Sequence, residues 1–239
     1  MQLHIFTDAD NTLWDTDAVY AAAQVSLLRN IEKIVNIQGP AGVDDGLAFV
    51  RDIDQRIAAH HPDHLRYPPE LLAHAVRSAL ASGDSKRVAA FESKGSGDES
   101  LVSVTNLFID QIRKIPELRQ GVIQVFDLVK DTKIPVTVVT EERKDRCLKL
   151  LEFHNLIGSV SQVISMRKTN DSFLQLKQSV DGCRVFMVGD QVDKDIRPAH
   201  AAGFETFYFP SGFRPFWSVD PNDNEAHVIS RYDEILAYI

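Results

Sequence analysis

The stretch FTDADNTLWD (residues 6–15) decides how this chain is read. An apolar run of strand length, residues 3–7, leads into it, and two aspartates, Asp8 and Asp10, stand one residue apart where strand gives way to loop. Asn11 and Thr12 suit a tight turn. In an open parallel sheet the ligand crevice forms at the carboxyl ends of the strands. Two carboxylates held together there repel each other and need a cation or a shared proton.

Working outward, four further strand-length runs recur at 136–140, 160–164, 184–189 and 206–209. VTVV and VFMV are apolar on both faces, as buried parallel strands are. Helical stripes lie between them. Val122, Val125, Phe126 and Val129 precede the second strand, and Phe173, Leu176 and Val180 precede the fourth. Ile196, Ala199 and His200 run up to Gly203, a helix-ending glycine. Strand–helix–strand alternation predicts an α/β fold: a Rossmann-like parallel sheet with helices on both faces.

One interval breaks the alternation. Residues 15–115 show almost only helical periodicity, with stripes at Val19–Ile34, Leu72–Leu80 and Leu101–Ile112 separated by Pro and Gly. Roughly a hundred helical residues between two parallel strands exceed what one crossover needs. The expectation is an inserted all-helical domain at 15–115 and a core domain made of 1–14 and 116–239.

Composition limits the function classes. The 239 residues are 44% hydrophobic and 25% charged, an ordinary globular balance. The formal charge of −8 disfavours non-specific binding to nucleic acid or anionic membrane. No apolar run reaches the ~18 residues a bilayer span requires. The opening MQLHIFTDAD lacks a basic region followed by an apolar stretch, so a secretory signal is not expected. The two cysteines, Cys147 and Cys183, have no metal-ligand spacing and fit a reducing, cytoplasmic setting.

Three more positions bear on chemistry. Thr140 ends the second strand. Its hydroxyl, with the Glu141 backbone N–H at a helix start, suits a phosphate oxygen; simple capping of that helix is the alternative. Lys168 precedes another helix. Asp190 follows the strand VFMVG, with Asp193 and Asp195 close behind, and Gly189 is read as letting the backbone turn sharply. Three acids at a strand end are costly unless a cation sits among them, and oxygen-only ligands select a hard ion such as Mg²⁺.

Taken in order, Asp8-x-Asp10-x-Thr12, Thr140, Lys168 and Gly189-Asp190-x-x-x-x-Asp195 resemble the four motifs of the haloacid dehalogenase superfamily. The helical insert resembles the helical cap of its phosphoglycolate phosphatase-like branch. The resemblance implies Asp8 as nucleophile forming an aspartyl-phosphate, and Asp10 as general acid and then base. It implies a Mg²⁺ site drawn from Asp8, the Asp10 main-chain carbonyl, Asp190 and Asp195, the last acting through water or else as the orienter of Lys168, with Asp193 competing for its place. Thr140 and Lys168 would bind the transferring phosphoryl oxygens, beside the Glu141 amide; separately, Arg143, just past Thr140, could read an anionic or ring-bearing substrate from the core side. Thr169 follows Lys168 where many members have proline.

A phosphate monoester hydrolase acting on a small phosphorylated metabolite is therefore expected. Asp10 argues against a true dehalogenase, whose halide needs no proton. Lys33 shows no sign of the amine pocket a phosphonatase requires. A phosphomutase, a catalytically silent scaffold and a receiver-like phospho-switch remain as alternatives; a receiver places its acceptor aspartate on a later strand and lacks the insert. In AHHPDHLRYPP, the residues His60, His61, Asp63 and His64 are read as a solvated loop rather than a metal site, with Arg66 or Tyr67 available to an anionic or ring-bearing substrate. KGSGDES is read as a flexible connector. Phe213, Phe216 and Trp217 are expected to pack against the core or a sheet edge, with an oligomer contact as the alternative. Oligomeric state is not legible.

Overall fold

A computed structural model describes residues 2–62, 67–83 and 99–239. Six strands form one sheet: β1 (Leu3–Thr7), β2 (Val136–Thr140), β3 (Gln162–Ser165), β4 (Arg184–Gly189), β5 (Glu205–Tyr208) and β6 (His227–Val228). Their order is β3-β2-β1-β4-β5-β6, and every neighbouring pair is parallel. The third and fifth strands are displaced slightly from 160–164 and 206–209. The sixth has two exposed residues and no apolar run to announce it.

The chain divides into two compact units, Met1–Asp17 with Pro116–Ile239, and Ala18–Ile115. Helices α1 (Thr16–Val35, from Ala18 onward), α2 (Val43–His60), α3 (Pro69–Ser82) and α4 (Glu99–Ile112) build the second unit, while Thr16 and Asp17 belong to the first. Its core joins Leu27, Leu28 and Ile31 to Val50, Ile53, Val76 and Phe108. The sheet unit carries α5 (Val122–Thr132), α6 (Lys144–Phe153), α7 (Asn170–Ser179) and α8 (Arg197–Ala201).

Strand side chains alternate between faces, so β1 feeds two cores. Ile5 packs with Val138, Phe186, Val125 and Phe126 against α5 and α6. Phe6, its neighbour, packs with Val139, Met187, Phe173 and Ala199 against α7 and α8. Both faces are thus covered, which explains why all five residues of β2 are buried. The strand order turns at β1: β2 lies on one side and β4 on the other. A crevice for ligand opens at the carboxyl ends of strands at such a point. Asp8 follows β1 and Asp190 follows β4, so adjacency of these strands brings the two acids to one edge.

Candidate active site

Asp8 leaves β1 with its backbone N–H donating to Val188 O at 2.8 Å, which ties it to β4. Its carboxylate accepts from the Lys168 ammonium through Oδ1 and from the Thr12 hydroxyl through Oδ2, the latter at 3.0 Å. The ammonium also donates to Asp195 Oδ1 at 2.5 Å. All three side chains are buried, at 7% or less exposure. Carboxylate oxygens of Asp8, Asp190 and Asp195 lie within 4.8 Å of one another.

Each member is held by local structure. A π-helical turn at Val192–Ile196 curls Asp195 back to the sheet, where its Oδ2 accepts from Gln191 N at 3.0 Å. Such turns frequently mark functional sites. That turn decides between the two candidate acids: Asp195 is fully buried, whereas Asp193 is exposed. Gly189 is required for closeness rather than for a sharp turn. A Cβ there would stand 2.3 Å from Asp195 Cβ and 2.6 Å from its Oδ2, and Gly189 is not among the glycines with positive φ. Lys168 is fixed from behind, its N–H donating to Glu141 Oε1 at 3.1 Å. Thr169 then caps α7, its hydroxyl accepting from Ser172 N at 3.3 Å.

Electrostatics set this cluster apart. Three carboxylates facing one ammonium leave two negative charges in excess if all ionise. Burial pushes Asp8 up to about 7, with Lys168 opposing and Asp195 adding to the rise. Burial, then the charges of Asp8 and Asp195, hold Asp190 well above the ordinary carboxylate range. Burial alone would lower Lys168, but Asp195 and Asp8 outweigh it and raise it. Asp190 Oδ1 is buried without a hydrogen-bond partner among the described residues. A hard divalent cation fits this set: it would satisfy the orphaned oxygen, cancel the excess charge and take only oxygen ligands.

The remaining sequence candidates distribute differently. Asp10 sits at the same strand end, but its side chain is outside the carboxylate group and accepts from Trp14 and Thr16. Thr140 is buried at the end of β2, beside β1, and its Oγ accepts from Glu142 N at 2.9 Å. The helix expected at Glu141 begins instead at Lys144, and the Glu141 side chain serves the Lys168 loop. Arg143 does not join the cluster: its side chain is 81% exposed and pairs with Asp145 at 3.1 Å. Tyr67 is buried and donates to Asp54 within the helical unit, so it is not free to read a substrate. Asp63, His64, Arg66 and most of KGSGDES lie outside the described residues. Phe216 is 63% exposed rather than packed in the core.

Sequence reasoning missed Arg119. Its guanidinium donates to Asn11 O at 2.5 Å, Phe209 O at 3.0 Å and Pro210 O at 2.8 Å, and lies over the Phe209 ring. It thereby ties the loop carrying Asp10 to the loop after β5. The only sequence signal is an arginine ahead of a helix, which ordinarily reads as a surface charge. Cys147 also approaches the site. Burial, then the Asp10 and Asp8 charges, push its thiol up to about 12, which keeps it an unreactive core residue.

A parallel sheet turning at β1, with a buried acid–lysine cluster at its carboxyl edge, defines the class. The sequence pattern of the haloacid dehalogenase-like hydrolases matches residues 3–203, and the chain belongs to this family of hydrolases. Similar solved structures span nearly the whole chain. A proposed HAD hydrolase of Bacillus subtilis, YfnB, bound to magnesium, is 15% identical, with 99% of this chain and 97% of that chain covered and a TM-score of 0.60. A predicted phosphoglycolate phosphatase from Haemophilus somnus is 16% identical, covering 98% and 96%, also at TM-score 0.60. A proposed beta-phosphoglucomutase from Thermotoga maritima is 16% identical, covering 100% and 98%, again at 0.60. At these identities the likeness concerns the fold. No curated protein matches in sequence.

Proposed function

We propose that this hydrolase is a Mg²⁺-dependent phosphatase of small phosphate monoesters, working through an aspartyl-phosphate on Asp8. One observation carries the reading: three buried carboxylates around Lys168, with an Asp190 oxygen that no described group satisfies. Asp8, Asp190 and Asp195, with the Asp10 main-chain carbonyl, would hold the cation, which supplies positive charge to a dianionic phosphate.

The chain's own residues divide the labour. Asp8 attacks phosphorus while the ester oxygen leaves with the bonding pair and takes a proton from Asp10. Water then attacks the phosphoryl-Asp8 bond, gives its proton to Asp10 and restores the Asp8 carboxylate. Splitting one hard displacement into two easier ones is the gain of covalent catalysis. Lys168 and Thr140 would bind the equatorial oxygens, where charge stabilisation dominates phosphoryl transfer. These groups address only the phosphoryl end, so choice among phosphorylated metabolites is assigned to residues outside them, those of the helical unit included. The two free cysteines agree with a cytoplasmic protein.

The test is a screen of the purified protein against phosphorylated metabolites with Mg²⁺ or with chelator, alongside Asp8→Asn. Release of inorganic phosphate, abolished by chelation and by the substitution, is expected. Activity surviving Asp8→Asn would overturn the nucleophile. Transfer of phosphate between two hydroxyls of one substrate, without release, would replace hydrolysis by a mutase reaction.

A further inference from the structure

Asp10 is held in an uneven way. Trp14 Nε1 and Thr16 Oγ1 both donate to the same carboxylate oxygen, Oδ1, at 3.0 and 2.8 Å. Among the described residues none donates to Oδ2. An oxygen that accepts two hydrogen bonds uses both lone pairs and stays the carbonyl-like oxygen when the carboxyl gains a proton, because a carboxylic O–H oxygen is the poorer acceptor. The two donors therefore select one of the two protonated forms.

The indole is itself rigidly placed. Trp14 is 1% exposed. Its backbone bridges to Asp10 on one side and to Leu118 on the other. Its ring stacks on His154, with centroids 6.2 Å apart and planes 19° from parallel, and His154 Nε2 in turn lies 3.0 Å from Pro116 O. A buried indole N–H must find an acceptor, so satisfaction of that donor is the bland account of the pair. The coincidence of two donors on one oxygen goes beyond it.

We propose that Trp14, assisted by Thr16, is a positioning residue for the acid–base step: by occupying Asp10 Oδ1 the pair confines the exchangeable proton to Oδ2. This rests on the reading of Asp10 as general acid. In the first half-reaction the phosphorus–oxygen ester bond breaks, its electron pair stays on the leaving oxygen, and the Oδ2 proton passes to that oxygen. In the second, the attacking water's proton returns to Oδ2. Trp14 and Thr16 never exchange a proton; they fix which oxygen does.

The consequence depends on the leaving group. An alcohol that leaves poorly as its anion needs the proton, whereas an activated phenol does not. The experiment measures kcat/KM for Trp14→Phe and Thr16→Val on aryl phosphates of similar shape, from p-nitrophenyl through phenyl to p-methoxyphenyl phosphate, with Mg²⁺ present. This parameter covers the steps through release of the phenol. Since positioned acid–base groups contribute ~10²–10⁴-fold, mislaying the proton should cost about tenfold or more on the poorest leaving group and about twofold on the best. A steeper leaving-group dependence in either folded variant supports the proposal, and Thr16→Val carries the test if Trp14→Phe does not fold. Equal losses across the series, or none, overturn it and leave Trp14 a packing residue. Wild-type protein that releases no phosphate from any ester would instead overturn the phosphatase reading, so the two failures are distinct.

Discussion

Each unit of this chain buries an aspartate whose proton affinity is raised, and the two are settled in opposite ways. In the helical unit, burial raises Asp54, and the Tyr67 hydroxyl and the Gln24 amide, the latter at 2.8 Å, oppose the rise by donating to it. Both of its oxygens have donors, one from each neighbouring segment. In the sheet unit, Asp8 and Asp195 share one lysine, and the neighbouring Asp190 has an oxygen without a hydrogen-bond partner among the described residues. The first cluster is complete as it stands and knits α1, α2 and the segment leading into α3 together. The second has room for a further positive charge, from a cation or from protons. What separates a ligand site from a structural polar cluster is the remainder, not the burial or the raised proton affinity, which both have.

The strongest way to break this contrast is Lys168→Met. Removing one partner of a buried ion cluster typically costs about 3–5 kcal/mol, because the remaining charges stay uncompensated. Urea unfolding in chelator should show that loss, and millimolar Mg²⁺ should recover part of it while turnover stays abolished. Equal stability of variant and wild type in chelator would mean that the carboxylates already share protons and that Lys168 compensates nothing.

Asp54→Ala probes the other half. It strands a buried hydroxyl and a buried amide, at about 1–3 kcal/mol for each unsatisfied group. The expected destabilisation is the same with and without Mg²⁺. A Mg²⁺-dependent loss would show that the helical cluster also answers to the cation and would dissolve the distinction.

A pH series sharpens it further. Asp8 is raised to about 7, above its unfolded value, so in metal-free protein its contribution to stability is fully present at acid pH and is lost as pH rises through about 7. A cation binds the ionised form and competes with that proton. The stabilisation conferred by Mg²⁺, read from urea unfolding, should therefore grow between pH 6 and pH 8 by an amount on the order of 1 kcal/mol, since one pKa unit is about 1.4 kcal/mol. A Mg²⁺ effect that is flat across this window would place the cation elsewhere.

How much of this was legible beforehand follows from what each signal depends on. The strands β1, β2 and β4 stand out because both faces are buried, which writes an unbroken apolar run into the sequence. β6 does not, since His227 and Val228 are exposed and are held only by pairing to β5. Asp8, Lys168, Asp190 and Asp195 were readable as acids and a lysine at strand ends. The choice of Asp195 over Asp193 was not, because it depends on a π-helical turn that composition does not encode. Arg143 was drawn in by its nearness to Thr140 in sequence, yet Asp145 two residues on offers it a closer charge. Trp14 and Arg119 escaped notice because an apolar ring and a lone cation gain their meaning only from the atoms opposite them. The Asp54 cluster joins residues 13 and 30 positions apart, a separation at which polar contacts leave no periodic trace.

The smallest expected effect discriminates most finely. Thr12→Val keeps the shape of a fully buried side chain and removes only its hydroxyl, whose partner is Asp8 Oδ2. Donation to the ionised carboxylate favours that form, so the variant should raise Asp8 further. Its cost then depends on pH: about 1 kcal/mol above pH 7, where Asp8 is charged and the lost bond is a charge-assisted one, and less below pH 6, where Asp8 carries a proton and the bond is worth little. The sign follows from linkage, since a group pushed further above its unfolded value loses stability as pH rises. Added Mg²⁺ should shrink the penalty by supplying the ionised carboxylate with another counter-charge. A cost that ignores both pH and Mg²⁺ would make the Thr12 contact a matter of packing alone, unlike the Gln24 hydrogen bond to Asp54 in the helical unit, and would mean that the charge on Asp8 is governed by Lys168 alone.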